Sequence, residues 1–256
     1  MHYLDFLRGL HEALAPPTYL EIGVRHGDSI ALARGTAVGI DPAYRLRTRL
    51  RRDVTLFRET SDEYFARSQP RRPFRGRRIA LSFIDGMHLA EFVVRDFANV
   101  ERHAAWWSVI VLDDILPRSV EVAARDRRTR VWTGDVYKVL DVLAEHRPDL
   151  ICLRVGTQPT GLGVILRLDP ASTVLDERYD EIVQRVVVPD PQDVPADVLE
   201  RTGVLDPEAV LASSVWRHLR AARDEQVPSR PTLRRVRRAL RRDLGVRAPR
   251  AAAVPA

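Results

Sequence analysis

Short apolar runs alternate with amphipathic stretches from Thr18 to Asp169. TYLEIGV (18–24), TAVGIDP (36–42), VTLFRET (54–60), IALSFIDG (79–86) and WSVIVLDD (107–114) are short, apolar and β-capable, which predicts buried strands. Helices are expected between them: 28–34, 61–67 with Ser61 or Asp62 as N-cap, 89–104, and 134–149 stopped by Pro148. LICLRVGT (150–157) and GLGVILRLD (161–169) are separated only by QPT, close enough to pair as a hairpin. Strands alternating with helices predict an α/β fold with a mostly parallel seven-stranded sheet, to which the hairpin adds one antiparallel strand. The N-terminus, MHYLDFLRGLHEAL, carries Asp5 and Glu12 and reads as a short amphipathic helix rather than an export signal.

After Pro170 the alternation stops. Residues 171–227 hold acidic and Pro-rich stretches and one helix candidate, PEAVLASSVWRHLRAAR, and are expected to form a helical appendage. Residues 228–256 place Leu233, Val236, Leu240 and Leu244 near helical spacing among arginines, then run into RAPRAAAVPA. That predicts a basic amphipathic helix followed by a disordered tail. Three units are thus expected: 1–170, 171–227 and 228–256.

Charge and cysteine usage narrow the function classes. The chain of 256 residues has a formal net charge of +6. Nine arginines against Asp243 give residues 228–256 a charge of +8, so the remainder carries about −2. The basic character belongs to the tail, and the body gives no reason to expect a nucleic-acid groove. The tail, narrow in its apolar stripe and dense in charge, is expected to be a solvated helix that buries little surface and is dispensable for folding, with attachment to an anionic surface or an acidic partner as the alternative. No run of about eighteen apolar residues occurs, so no membrane span is expected. The single cysteine, Cys152, cannot form an internal disulfide and reads as a core residue, with a cytoplasmic location as the default.

Two constellations carry chemistry. In the first, Glu21, Gly23, Gly27 and Ser29 follow the first strand, and Asp41 ends the second. Glycine lets a turning backbone lie against a ligand. A carboxylate one βα unit later can accept the hydroxyls of a ribose. The pattern lacks the third glycine of the dinucleotide fingerprint, which suits a nucleoside without a pyrophosphate. An ordinary βα turn remains the alternative. In the second, Asp85 and His88 follow the fourth strand and Asp113 and Asp114 the fifth, so three carboxylates converge on the edge where α/β sheets bind ligands. Their repulsion would raise at least one pKa. A hard cation such as Mg²⁺ would relieve it, although paired aspartates can also cap the next helix. His88 can reach the same edge as a base.

With these residues in view, FIDGMHLAEFVVRDFANV followed by VIVLDD resembles the class I S-adenosylmethionine (SAM)-dependent methyltransferases, in the branch of the macrocin-type sugar O-methyltransferases, over roughly residues 15–170. The resemblance implies a Rossmann-like sheet. YLEIGVRHGDS is similar to the SAM motif, VGIDP to the ribose-binding segment with Asp41 as its acid, and SDEYF to the segment whose acid, Asp62, approaches the adenine. Asp85, Asp113 and Asp114 match the acidic metal ligands, Asp85 standing also beside the cofactor, and His88 matches the general base. The implied reaction is methyl transfer from SAM to a hydroxyl of a sugar or other small natural-product acceptor, with Mg²⁺ as the second cofactor. A homo-oligomer is compatible with this reading. The competing readings are a NAD-dependent reductase, a SAM-binding protein without metal-dependent catalysis, and a nucleic-acid methyltransferase docked by the tail.

Overall fold

The computed structural model describes residues 1–224 and 229–248. All seven apolar runs form strands: β1 (Thr18–Ile22), β2 (Thr36–Ile40), β3 (Val54–Phe57), β4 (Ile79–Ile84), β5 (Ala104–Leu112), β6 (Ile151–Val155) and β7 (Leu162–Leu166). They lie in one sheet in the order β3-β2-β1-β4-β5-β7-β6. The first five strands are parallel, and β7 runs antiparallel to both of its neighbours. The hairpin therefore folds inward: its second strand inserts beside β5 and leaves β6 at the edge.

The helices are α1 (Tyr3–Leu14), α2 (Ser61–Phe65), α3 (Ala90–His103), α4 (Val139–His146), α5 (Val174–Glu177), α6 (Tyr179–Val186), α7 (Ala196–Leu199), α8 (Pro207–Ala212), α9 (Val215–Ala221) and α10 (Arg230–Leu244). They cover both faces of the sheet, which is why the strands read as continuous apolar runs. Along β5 the side chains alternate. Ile110 and Leu112 join a core with Val94 and Phe97 of α3, Leu143 of α4 and Ile182 of α6. Val109 and Val111 join a second core with Phe6 and Leu10 of α1, Trp216 of α9 and Leu240 of α10.

Several local expectations shift. No full helix forms at 28–34, only a 3₁₀ turn over Ile30–Leu32, because the Ser29 hydroxyl that could cap a helix donates instead to Glu21 Oε1 (2.8 Å). The cap of α2 is Thr60 in a capping box with Glu63, one residue ahead of Ser61. The expected helix 134–149 is a 3₁₀ turn at Val136–Lys138 followed by α4. PEAVLASSVWRHLRAAR breaks into α8 and α9 at Ser213 and Ser214, whose hydroxyls donate to Asp243 of α10 (3.2 and 2.7 Å). The helices of 171–227 pack on the domain as the appendage reading expects, α5 and α6 extending one core and α8 and α9 the other, and α10 joins the second core with them. On α10, Val236 and Leu240 are buried and Leu233 and Leu244 half-buried, so the sequence-based stripe faces the sheet. Of RAPRAAAVPA, expected to be disordered, Ala248 packs against the second core, and the residues from Pro249 onward lie outside the described residues. Cys152 is half-buried against the first core, and burial pushes its thiol up to about 12.

Candidate active site at the carboxyl edge

The parallel ladder runs one residue beyond each central strand, and that extra residue builds the site. Gly23 N–H donates to Ile40 O (2.9 Å), Asp41 N–H to Phe57 O (3.1 Å), Asp85 N–H to Ile22 O (2.8 Å) and Asp113 N–H to Ile84 O (3.0 Å). Gly23, Asp41, Asp85 and Asp113 thus stand in one row along the carboxyl edge, where open α/β sheets bind ligands.

The turn after β1 is held from below. Glu21 is fully buried and accepts from the Tyr19 hydroxyl (2.7 Å) and the Ser29 hydroxyl (2.8 Å). Burial pushes its carboxyl up to about 8, against the lowering effect of those hydrogen bonds. Glu21 therefore fixes the loop geometry. Gly23 has φ +90°, and a Cβ there would lie 1.9 Å from the Asp85 carbonyl oxygen, so no other residue fits. Gly27 closes the turn through its N–H to Val24 O (2.8 Å).

Asp41 is half-buried beside this turn. Its Oδ2 accepts from Arg25 N–H (2.7 Å) and its Oδ1 from Ala43 N–H (2.6 Å). Each oxygen retains a lone pair for a further donor. Asp62, in the first turn of α2, pairs with Arg95 of α3 at 2.6 Å.

On the other half of the edge, Asp85, His88 and Asp114 each offer a ligand atom within 4.8 Å of the others. His88 Nε2 lies 3.3 Å from Asp85 Oδ1, and His88 Nδ1 lies 2.5 Å from Asp114 Oδ2. That second contact is close but not aligned as a hydrogen bond, so buried Nδ1 has no hydrogen-bond partner. Asp113 is buried, with Oδ1 accepting the Asp114 N–H (2.9 Å), and does not join the converging group. Desolvation first, then the charges of Asp113 and Asp114, raise the Asp85 carboxyl well above the usual carboxylate range. Desolvation and Asp114 raise Asp113 likewise. His88 and Asp114 both occupy the left-handed region, at φ +56° and +64°. Such strain gathers at functional sites, where the surroundings over-determine the backbone.

Two residues near this edge escaped the sequence reading. Asp96 of α3 is 3% exposed, and burial pushes its carboxyl up to about 7. It lies within reach of Gly86, and its one sequence signal is an acid on the apolar face of a helix (Val93, Val94, Phe97, Val100). Tyr3 opens α1 at the same edge, stacked on Phe83 (6.2 Å between centroids). Burial, then Asp113 and Asp85, raise its phenol. Nothing in the local sequence signals this approach, because only the tertiary fold brings Tyr3 there.

A sheet covered on both faces thus ends in a glycine turn, an acid on the next strand and an acidic cluster. Residues 20–115 match the Methyltransf_24 family model, described as a methyltransferase domain. This match favours the methyltransferase reading over the reductase one. Among solved structures the fold is similar to a Staphylococcus aureus protein described as a caffeoyl-CoA O-methyltransferase, at 16% identity over 64% of this chain and 82% of that one, TM-score 0.50. It is also similar to the Bacillus cereus O-methyltransferase in complex with SAH (15%, 64% and 80%, TM-score 0.48). A third is the O-methyltransferase TomG from Streptomyces achromogenes, involved in tomaymycin synthesis, in complex with SAM (16%, 65% and 80%, TM-score 0.45). These identities concern the fold alone. No curated protein gives a sequence match.

Proposed function

We propose that this methyltransferase moves the methyl of SAM to a hydroxyl of a small acceptor, a sugar or other natural product, with help from a divalent cation. The observation that carries the reading is the convergence of Asp85, His88 and Asp114 beside the Gly23 turn, with His88 Nδ1 buried and without an aligned partner. Two carboxylates crowded together at a partly buried edge, beside a third at Asp113, fit a hard cation better than they fit one another. Asp85 and Asp114 are the carboxylates that would hold it, and Asp113, whose charge faces both, would strengthen the field. When bound, such an ion lowers the pKa of an alcohol.

The rest of the chemistry belongs to the chain. The Gly23–Gly27 turn would receive the methionine end of SAM, Asp41 the ribose hydroxyls and the α2 start, at Asp62, the adenine. His88 Nε2, the ring nitrogen turned away from Asp114, would take the hydroxyl proton as general base. Holding oxygen, methyl and sulfur in line then supplies much of the rate.

The test is methyl transfer to catechol and to methyl rhamnoside, with and without EDTA, beside calorimetry of Mg²⁺ and Mn²⁺ binding. Activity should be lost in chelator and return with metal, and Asp114→Ala should lose metal binding while keeping SAM. Full activity after exhaustive metal removal would remove the cation and leave a SAM enzyme acting through His88 alone.

A further inference from the structure

We propose that Trp132 is a positioning residue: its indole holds the His88 imidazole in the orientation that proton transfer requires. The proposal rests on the base role given to His88 above, and it adds a residue that acts through it.

The connection from β5 to α4 runs from Asp113 to Lys138 with a single 3₁₀ turn at its end. Ordered connections of that length, without regular structure, are uncommon unless they serve a site. Here the far end returns to the segment that carries His88. The Trp132 and His88 rings stack with centroids 5.0 Å apart and planes 16° apart. Two residues on, Gly134 lies directly against the backbone of His88. Its φ is +55°, and a Cβ would sit 1.7 Å from His88 O, so only glycine allows this approach. One residue further, Asp135 Oδ1 accepts Ala90 N–H (2.8 Å). The N-cap of α3, Leu89, has no side-chain oxygen to offer, so Asp135 caps the helix from across the fold. Positions 132, 134 and 135 thus grip positions 88 and 90 at three successive points.

The grip is itself anchored. Asp135 is fully buried and paired with Arg125 (2.6 Å) and Lys138 (3.1 Å), and Arg125 also binds Glu91 of α3 (2.5 Å). Trp132 Nε1 donates to Ala124 O (2.6 Å), which fixes the plane of the indole. The imidazole needs such support. Its χ2 torsion is broad and roughly two-fold, and neither carboxylate beside it makes an aligned hydrogen bond to Nδ1. Stacking against a pinned ring is what sets its plane. A proton acceptor misplaced by about 1 Å can lose ~10²-fold in rate.

The experiment joins a magnetic readout to a mutant cycle. In protein labelled at its seven histidines, the His88 ring signals, identified by their loss in His88→Ala, should be shifted by the indole ring current. Trp132→Leu should return them to ordinary positions, and Trp132→Phe should keep part of the shift. In methyl transfer to catechol or methyl rhamnoside with Mg²⁺, Trp132→Leu should lower kcat about 10- to 100-fold with the KM for SAM unchanged. Trp132→Phe should recover most of it. In a His88→Ala background the same Leu substitution should cost nothing further, because the two residues act as one unit. His88 signals that ignore Trp132→Leu, or an equal cost in both backgrounds, would overturn the positioning role and leave the base role standing. Full activity of His88→Ala alone would overturn the base role itself, and the proposal with it.

Discussion

At the scale of single residues, the proposed function divides the site into a cofactor half and an acceptor half, and substitutions should separate them. Asp41→Ala removes the proposed ribose acceptor and also frees the Arg25 and Ala43 amides that shape the loop. A hydrogen bond to a charged group contributes ~1.5–3 kcal/mol, so SAM affinity by calorimetry should fall about tenfold or more. Unchanged affinity would remove Asp41 from the site. Asp114→Ala should leave SAM affinity nearly intact and abolish most turnover. His88→Ala should cost ~10²–10⁴-fold, the usual worth of a general base. EDTA should reproduce the effect of Asp114→Ala but not that of His88→Ala, which is expected to keep its metal.

At the scale of elements, α10 is the sharpest departure from expectation. Its arginine content predicted a helix able to bury little surface, yet Val236, Ala239 and Leu240 are buried in the core with Trp216 and Leu153. Leu240→Ala should therefore destabilise the fold by ~2–5 kcal/mol, as for other fully buried leucines, read as a lower urea midpoint with unchanged slope. A shift within error would return α10 to the status of a solvated appendage. Because the apolar stripe already faces the sheet, any attachment to an anionic surface would rest on arginines alone. The sequence was informative where the signal is local. Each strand showed as an apolar run, and the row Gly23, Asp41, Asp85, Asp113 showed as the residue that ends each one. It was silent where the partner is distant. Ser213 and Ser214 break a helix because Asp243 takes their hydroxyls, and Trp132 gains meaning only through His88, 44 positions earlier.

At the scale of the whole molecule, buried acids tie stability to pH. Folded Glu21 keeps its proton up to about pH 8 and Asp96 up to about pH 7, whereas unfolded carboxyls release theirs near ~4. The stability these protons confer is complete below the unfolded pKa and is lost as pH rises through the folded one. His11 and His103, lowered to about 4 by burial, act in the opposite sense, but only below the unfolded value of ~6.5. Between pH 6.5 and 8 the carboxyls act without that opposition. The melting temperature of the metal-free chain should fall across this window, and Glu21→Gln should flatten the slope. A melting temperature that rises from pH 6.5 to 8 would contradict the assignment.

The packing of α1 against α8 and α9 has a consequence for how the chain is made. Part of the cover of α1 comes from residues 207–221, which are synthesised long after it. Until then Phe6, Leu7 and Leu10 have part of their enclosure missing. A nascent chain in that condition is open to wrong associations, because transiently exposed apolar surface promotes aggregation. Helix α1 and the α8–α9 pair therefore form one unit of assembly whose halves are made far apart in time, and a rearranged chain that placed α8 and α9 just before α1 would let them meet early.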